Sequence, residues 1–567
     1  MLGKVIVSGL SLILVVGIAL AIAATINKSN ASNGGTEDVS PKMKAVSAIC
    51  STTDYQDECK TTLDHVARNT SSNDPKDYAE AAILATIGEI TKGYNLSDSL
   101  IVEASTNASI KMSVEDCKDL LQFAIDELQA SYSAVGESDL HTDSDRVADI
   151  KNWLSAVISY QQSCLDGLGE FDPQLKQRMQ DGLDVAGKLT SNALAIVTAV
   201  SNILDNYRLQ LKVQPSGRRL LGTTVVDRDG FPTWLTGADR KLLASKQRGV
   251  RPTPNAVVAK DGSGKYKTIA AALAAYPKVL RGRYVIYVKA GIYDEYITLT
   301  KDMKNVFMYG DGPRKTIVTG RKSNRDGFTT QNTASFAAIG EGFLCKSMGF
   351  TNTAGPEGHQ AVALRVQSDR SAFFNCRMDG HQDTLYVQTH RQFYRNCVVS
   401  GTVDFIFGDS STVIQNSLII VRRPMDNQQN TVTAQGRAEQ KEITGLVIHN
   451  CRIVPEQKLF AERFKIPTFL GRPWKQYART VIMESTLGDF IQPAGYMPWS
   501  GDFALETCLY LEYGNRGPGA NTNRRVRWKG AKVIGRNEAL QYTAGAFLLG
   551  RSWLPTTGGL YYLGLKN

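Results

Sequence analysis

A short internal repeat in the second half of this 567-residue chain constrains its fold more than any other feature. An Asn followed by Cys or Ser recurs at intervals of 21 and 20 residues and again after a longer excursion, at Asn375, Asn396, Asn416 and Asn450. Short β-branched or apolar runs follow each pair, without helical periodicity between them. A fixed period near twenty is typical of a solenoid with one coil per repeat. The sequence therefore predicts an all-β, right-handed parallel β-helix.

The register of these coils brings three polar residues together. In each coil the Asn is expected to take a left-handed turn and to hydrogen-bond its copy in the next coil. Gln360, Asp383 and Asp404 are 23 and 21 residues apart, so we expect them on adjacent parallel strands about 4.8 Å apart. Two close carboxyl groups cannot both ionise easily, so one pKa should rise and the other fall, as an acid and a nucleophile require. The alternative is that both Asp residues are ordinary turn residues.

Three blocks of sequence resemble the signatures of plant pectin methylesterases: GHQDTLY at Gly380–Tyr386, GTVDFIFG at Gly401–Gly408 and LGRPWKQYARTV at Leu470–Val481. The resemblance extends over residues 255–567. It implies a β-helix enzyme that hydrolyses the methyl esters of homogalacturonan, the acidic polysaccharide of pectin, to pectate and methanol in the plant cell wall.

Chemistry and resemblance assign the same roles to five residues. Asp404 would attack the ester carbonyl, and Asp383 would give a proton to methanol and then take one from water. The side-chain amides of Gln360 and Gln382 would stabilise the oxyanion. Arg472 would pair with Asp404 and keep it ionised. Neither a metal nor a cofactor is needed for these steps.

The resemblance also implies a set of substrate contacts, namely Thr330, Gln360, Arg472 and Trp474. Aromatic residues near the motifs are candidates for stacking on sugar rings in a groove, namely Tyr386, Phe405, Trp474 and Trp499. Packing in the core is the alternative for each. Phe407 is an equal candidate for either environment.

Charge is distributed unevenly along the chain. Residues 45–205 hold 11 Lys and Arg against 26 Asp and Glu, a formal charge of −15, whereas residues 206–567 hold 50 against 27, a charge of +23. A basic half is compatible with binding to nucleic acid, but no nucleic-acid-binding module is recognisable in the sequence. An acidic polysaccharide satisfies the same electrostatics. Attraction between the two halves is also permitted.

The N-terminus carries secretory features. An uncharged apolar run, Val5–Ile26, within residues 1–26, predicts a signal peptide or a signal-anchor that holds the precursor in the membrane. The composition of residues 27–44 predicts an unstructured tether. Five sequons predict glycosylation at Asn27, Asn30, Asn69, Asn95 and Asn107. We expect a protein secreted to the cell wall.

Residues 45–205 have apolar residues at helical spacing and predict an all-α four-helix bundle. They contain four cysteines, which allow three pairings. The region resembles the invertase/pectin methylesterase inhibitor family. That resemblance implies a bundle that binds an esterase, with bridges Cys50–Cys59 and Cys117–Cys164.

Residues 206–254 predict a flexible linker with two dibasic sites for a processing protease, Arg218-Arg219 and Arg240-Lys241. We expect the helical region to inhibit the enzyme before cleavage or to assist its export. Separate protein inhibitors of esterases are further expected partners.

Parts of the sequence are also compatible with other functions. The chain lacks a Gly-x-Ser-x-Gly motif, and its six histidines lack zinc-ligand spacing; His381 is expected to line the site. One rival is a pectate lyase-like enzyme that holds calcium at Asp383, Asp404 and Asp409. A second is a non-catalytic wall-binding protein with a basic groove, which would not need all five polar residues.

One position departs from the family pattern. Ser417 stands where relatives commonly have a cysteine that bridges the residue matching Cys397, so Cys397 is expected to be a buried thiol. Four other cysteines are predicted to face the core: Cys345, Cys376, Cys451 and Cys508. The segment Ala539–Trp553 is predicted to cap the open end of the β-helix.

Overall fold

The computed structural model describes residues 41–69, 75–137, 144–210 and 253–566, which form a helical unit and a β unit. Several predicted features lie outside the described residues: the signal peptide or anchor at residues 1–26, most of the tether, the dibasic sites Arg218-Arg219 and Arg240-Lys241, and the sequons Asn27 and Asn30.

The helical unit contains two short helices followed by four long ones: α1 Pro41–Cys50, α2 Gln56–Asn69, α3 Pro75–Glu103, α4 Ala108–Glu137, α5 Ser144–Gly169 and α6 Pro173–Gln210. Proline at the first position of α1, α3 and α6 suits a helix start, because that residue needs no N–H donor. The four long helices pack in a ring in which α3 contacts α4 and α6, and α5 contacts the same two. This arrangement confirms the predicted four-helix bundle.

The first and last helices extend beyond both predicted ends of this region. Helix α1 begins at Pro41, inside the predicted tether, because the proline fixes a helical φ directly after the Asn/Ser/Gly-rich stretch. Helix α6 continues to Gln210, past the predicted boundary at residue 205. The stretch Pro173–Ser201 is long and apolar enough to cross a membrane, but 67% of its most apolar window is buried in the bundle.

Two disulfides join the helices as the resemblance implied. Cys50–Cys59 links the end of α1 to α2, and Cys117–Cys164 links α4 to α5. The predicted glycosylation sites Asn95 and Asn107 are exposed. They stay predictions, as does the site at Asn69.

The β unit consists of 26 strands in three sheets whose strand pairs are all parallel, so the predicted parallel β-helix is confirmed. The first sheet contains β1 Ala256–Val258, β2 Tyr284–Val288, β5 Val306–Gly310, β8 Leu344–Lys346, β11 Ser371–Phe374, β14 Arg391–Arg395, β17 Ser411–Gln415, β20 Gly445–His449, β23 Arg479–Met483, β25 Leu509–Tyr513 and β26 Ala531–Val533. The second contains β4 Ile297–Leu299, β7 Phe336–Ala338, β10 Leu364–Val366, β13 Leu385–Val387, β16 Ile406–Gly408, β19 Asn430–Gln435 and β22 Thr468–Pro473. The third contains β3 Gly291–Asp294, β6 Thr316–Gly320, β9 Gly349–Asn352, β12 Arg377–Asp379, β15 Val398–Gly401, β18 Leu418–Val421, β21 Arg452–Pro455 and β24 Thr486–Leu487.

The repeated asparagines turn the chain from the first sheet to the third. Asn375, Asn396, Asn416 and Asn450 all have a left-handed backbone, with φ of 52–53°. The side-chain amide of Asn450 donates to Oδ1 of Asn416 at 2.5 Å. The left-handed turn is therefore confirmed for all four asparagines. The hydrogen bond to the copy in the next coil is seen for Asn450 and Asn416, whereas the amide of Asn375 donates to the hydroxyl of Ser347 at 3.0 Å.

The interior of the coils is a continuous apolar core that includes five buried thiols, at Cys345, Cys376, Cys397, Cys451 and Cys508. Burial raises the pKa of Cys451 to about 12, so its thiol stays protonated. Ser417 occupies the position of the missing cysteine, where its hydroxyl accepts a hydrogen bond from the backbone N–H of Cys397 at 3.0 Å. Cys397 is a free buried thiol, as expected.

Short helices complete the β unit: α7 Ile269–Ala274, α8 Gln457–Phe460, α9 Arg536–Leu540, α10 Ala544–Phe547 and α11 Gly550–Trp553, with 3₁₀ turns that include Asn324–Asp326, Thr330–Thr333 and Pro356–Gly358. The last three helices pack on the outer face of the first sheet, where Leu548 and Trp553 lie in one cluster with Phe393 and Val447. The predicted cap over the coil end is therefore wrong. The outer face of this sheet is itself apolar and needs cover.

Candidate active site

Asp383 and Asp404 lie in the turns that lead into β13 and β16. Each precedes by two residues a member of the register pair Leu385 and Ile406, so the two carboxyl groups occupy equivalent positions in successive coils. The backbone N–H of Asp383 donates to the carbonyl of Val403 at 3.1 Å. The coil spacing is as predicted, but both residues have φ of 52–62° and stand in left-handed turns, not on strands. Asp tolerates this conformation better than most side chains.

Gln360 does not share that register. Leu364 pairs with Leu385, so the coil equivalent of Asp383 is Val362, and Gln360 lies two residues upstream of it. The predicted alignment of all three residues on adjacent strands is wrong for Gln360. Its neighbour Ala361 donates its N–H to the carbonyl of Gln382 at 3.3 Å, which brings the backbones of the two glutamines side by side. Both glutamine side chains are partly exposed.

The carboxylate of Asp404 is buried and fully oriented. Arg472, on β22, donates from Nε to Oδ1 at 2.9 Å and from Nη2 to Oδ2 at 2.6 Å. The hydroxyl of Thr431 donates to Oδ1 at 2.6 Å and accepts from the backbone N–H of Asp404 at 2.8 Å. Such charge-assisted bonds fix the plane of the carboxylate. Sequence reasoning missed Thr431, although it stands 27 residues, about one coil, after Asp404.

Arg472 is held as a permanent cation. Burial alone would lower the pKa of Arg472, but its hydrogen bond to Asp404 and the charges of Asp404 and Asp383 raise the pKa above its usual value. Its guanidinium also lies 4.3 Å from the centroid of the Trp499 ring. Asp383 itself is only 7% exposed. Arg472 therefore interacts with two buried carboxyl groups. It hydrogen-bonds Asp404, and its charge also interacts with that of Asp383.

One arginine makes hydrogen bonds to both of the turns that contain Asp383 and Asp404. Arg422 donates from Nη1 to the carbonyl of Gly380 at 2.7 Å, and from its backbone N–H to the carbonyl of Gly401 at 2.7 Å. Gly380 and Gly401 begin the turns that end at Asp383 and Asp404. The carbonyl of His381 in addition accepts from the N–H of Thr402 at 2.9 Å.

His381 is not equipped to act as a base. Burial, and then the nearby charges of Arg422 and Lys458, lower its pKa to about 4. The imidazole is neutral above that pH, and as a base it would be weak near neutrality. This agrees with the expectation that His381 only lines the site.

Aromatic side chains line the outer face of the second sheet beside these turns. Tyr386 and Phe407 stack with centroids 4.3 Å apart, and Phe407 meets the edge of Trp474 at 5.9 Å. Phe405, in contrast, is fully buried in the interior core, so its predicted contact with substrate is wrong. Phe405 packs inward with the core, whereas Phe407 belongs to the outer cluster. Phe407, and not Phe405, is therefore the phenylalanine on the outer face of the sheet.

Thr330 borders the same face from a neighbouring segment. It begins the 3₁₀ turn Thr330–Thr333 and is partly exposed, as expected of a substrate contact. The hydroxyl of Thr333 donates to the carbonyl of Thr330 at 2.6 Å and accepts from the N–H of Val362 at 2.9 Å. Val362 belongs to the cluster of Tyr386 and Phe407, so this turn is fixed to the aromatic face.

The rival calcium arrangement does not form. Asp409 follows β16 whereas Asp404 precedes it, and Oδ1 of Asp409 accepts from the amide of Gln435 at 3.1 Å and from the hydroxyl of Thr444 at 2.5 Å. The three aspartates therefore do not converge on one point. Within the described ranges, His, Cys, Asp and Glu do not assemble in threes around a possible metal position.

Comparison with known proteins gives concordant matches for both units. Two family models match: Pectinesterase over residues 255–551, and Plant invertase/pectin methylesterase inhibitor over residues 44–196. "Probable pectinesterase/pectinesterase inhibitor 21" of Arabidopsis thaliana is 40% identical over 548 residues, covering 97% of this chain and 80% of that protein. "Pectinesterase 4" of the same plant is 42% identical over 604 aligned positions, covering 99% and 100%. The solved pectin methylesterase from carrot is 50% identical with a TM-score of 0.55, covering 56% of this chain and 99% of that one.

Proposed function

The chain belongs to the pectinesterase family, with an inhibitor-like region ahead of its catalytic domain, and from this premise we propose how its own residues hydrolyse the ester. The reaction is that of a carboxylic ester hydrolase: a methyl ester of pectin and water give a carboxylate and methanol. The forked Arg472–Asp404 pair beside the buried Asp383 carries the assignment of roles.

In the first step Asp404 attacks the ester carbonyl carbon. Its Oδ1 already accepts two hydrogen bonds, from Thr431 and from Nε of Arg472, whereas Oδ2 accepts one from Nη2. Oδ2 has more free lone-pair density, and we assign it as the attacking atom. The amides of Gln360 and Gln382 donate to the oxyanion. Protonated Asp383 gives its proton to the departing methoxide, which leaves as methanol.

The second step returns the enzyme to its starting state. Water attacks the acyl carbon of the anhydride, and the carboxylate of Asp383 takes the proton that this water loses. Asp404 is released as a carboxylate and again accepts the hydrogen bonds from Arg472 and Thr431. Ion pairing with Arg472 makes Asp404 a better leaving group, because it stabilises the charge that returns. The product is a free uronic acid carboxylate.

The substrate is homogalacturonan, whose sugar rings we place against the outer aromatic cluster. Trp474 is partly exposed and packs against the buried pair Phe407 and Tyr386, so we place a sugar ring against Trp474, beside the acid and the nucleophile. Thr330 borders the groove. The formal charge of +23 over residues 206–567 favours encounter with a polymer that bears carboxylates.

For the rest of the chain we propose a secreted precursor that acts in the cell wall. Residues 1–26 would direct it into the secretory pathway as a signal peptide or an anchor, and a protease would cut at Arg218-Arg219 or Arg240-Lys241. Residues 45–205 would be the inhibitor-like pro-region and residues 255–567 the enzyme. Separate protein inhibitors would act on the enzyme after release.

The test is methanol release from highly esterified pectin by the full chain, before and after cleavage at a protease site engineered between the two dibasic sites. Wild-type chain should release methanol in the presence of a chelator, and Asp404→Asn should reduce release by more than about 10³-fold, because an amide cannot be the attacking carboxylate. Substantial turnover by a folded Asp404→Asn protein would refute the nucleophile. Chain shortening without methanol would indicate a lyase, and binding without either product would indicate a wall-binding protein.

A further inference from the structure

Lys322 is a cation held between two aromatic rings. Its Nζ lies 4.2 Å from the centroid of Tyr296 and 4.6 Å from that of Phe328. No Asp or Glu in the described ranges forms an ion pair with it. Aromatic faces attract an ammonium group but do not cancel its charge. Lys322 therefore presents a positive charge in a defined position that the acidic groups of the described residues leave unneutralised.

The loop that carries Lys322 is fixed in place. The hydroxyl oxygen of Tyr296 accepts from the backbone N–H groups of Arg321 and Lys322 at 3.0 and 3.2 Å. The carbonyl of Lys322 accepts from the buried amide of Asn352 at 2.9 Å. A Cβ on Gly320 would stand 2.8 Å from the Tyr296 ring, so the ring requires glycine there. The cation and its two rings form a built arrangement, not a mobile surface side chain.

The same contacts attach this cluster to the catalytic groove. The amide of Asn352 that holds Lys322 also donates to the carbonyls of Thr333 and Val362, each at 3.1 Å. Val362 is part of the aromatic cluster that contains Tyr386 and Phe407. Asn324, two residues after Lys322, donates its N–H to the carbonyl of Gln360 at 2.9 Å. Lys322 therefore lies in a loop that is hydrogen-bonded to the segments of Gln360 and Thr330, which we place at one end of the substrate groove.

We propose that Lys322, with Tyr296 and Phe328, is a subsite for the free carboxylate of a galacturonate residue that flanks the esterified residue. This inference rests on the proposed function, because it takes its ligand from the same polymer. A methyl ester is neutral and gains nothing from an unpaired ammonium, whereas a carboxylate gains a charge-assisted hydrogen bond. Tyr296 is 41% exposed and offers its ring to the sugar. The chain should therefore favour esters that have free carboxylates nearby.

The binding test uses the full chain and a fully de-esterified oligogalacturonate, which the active site cannot turn over. Lys322→Met, which keeps the aliphatic length, should weaken binding about threefold to tenfold at low salt, and the loss should shrink as salt rises. Lys322→Arg should restore most of the affinity. The control is Lys265→Met, because Lys265 is an exposed lysine whose Nζ lies 5.3 Å from the Tyr266 centroid, outside this cluster. Equal affinity of wild type and Lys322→Met would overturn the proposal.

The activity test compares kcat/KM for methanol release from two pectins of equal length, one fully esterified and one de-esterified in blocks. Lys322→Met should lower the value about threefold or more on the block substrate and less than twofold on the fully esterified one. Equal losses on both would contradict a carboxylate subsite. If the wild-type chain binds oligogalacturonate but releases no methanol from either pectin, the proposed esterase function fails, and the binding comparison still decides the subsite.

Discussion

Arg472 makes a bidentate pair of hydrogen bonds to the Asp404 carboxylate, with Nε 2.9 Å from Oδ1 and Nη2 2.6 Å from Oδ2. This geometry fixes the plane of the carboxylate that is assigned as the nucleophile. An ammonium group in the same place would supply the charge but only one contact point. The orientation of the Asp404 carboxylate thus depends on the guanidinium.

Arg472→Lys should lower kcat about 10- to 100-fold, since one charge-assisted hydrogen bond is worth about 1.5–3 kcal/mol. Steady-state methanol release is the measurement. Arg463→Lys is the matched control, because Arg463 makes a similar fork to Asp489 at 3.0–3.3 Å in the segment after helix α8. Wild-type rates in Arg472→Lys would show that Arg472 acts only as a charge.

Asp383→Asn should remove the proton donor and reduce hydrolysis of methyl esters about 10²- to 10⁴-fold. The loss should be much smaller on an aryl ester of the same uronic acid, because a phenolate leaves without protonation. Rates on both esters are measured with the same protein preparation. Equal losses on the two would mean that the substitution damages the site and that Asp383 is not the acid.

The sequence predicted the architecture because the features that determine it are local and periodic. The left-handed asparagines, the buried cysteines and the coil spacing of Asp383 and Asp404 all follow from a repeat near twenty residues. The resemblance added the pairing of Arg472 with Asp404 across 68 residues, which no local pattern contains.

Two residues were misplaced or overlooked because spacing alone does not give the exact register. Gln360 stands 23 residues before Asp383, close to one coil, but the pairing of Leu364 with Leu385 sets the coil at 21 residues. Thr431 was overlooked because the long excursion after β18 hides its place in the coil. Phe405 was misassigned because it follows Asp404 directly, and only the coil geometry shows that it faces the core. Among the described residues, the lack of an acidic partner for Lys322 also depends on distant contacts, so a pattern in the sequence could not reveal it.

The pH dependence should not involve His381. Its pKa of about 4 lies below the ordinary value of 6.5, so the imidazole stays neutral from about pH 5 to pH 8. His381→Gln should therefore leave the shape of the kcat/KM profile unchanged over that range. Because the unfolded chain binds this proton more tightly than the folded one, the contribution of His381 to the free energy of unfolding is full above pH 6.5 and falls as the pH drops towards 4. Loss of a limb of the rate profile in His381→Gln would mean that the imidazole titrates in catalysis.

Arg422 should act as a positioning residue, since its side chain holds the carbonyl of Gly380 and its backbone holds that of Gly401. Arg422→Gln removes the first contact and keeps the second, so the turn of Asp383 loses an anchor while the coil remains. We expect kcat to fall about tenfold with little change in KM, because a small misplacement of the acid affects the transition state more than binding. Arg452 is an exposed arginine on β21 of the same third sheet, so Arg452→Gln is the control and should leave kcat unchanged.

A purely structural role of Arg422 would instead lower Tm without changing kcat at temperatures where the protein is folded. A rise in KM at constant kcat would place Arg422 in substrate binding. The aryl ester used for Asp383 makes the test sharper: if Arg422 acts through the acid, Arg422→Gln should lose less activity on that ester than on the methyl ester.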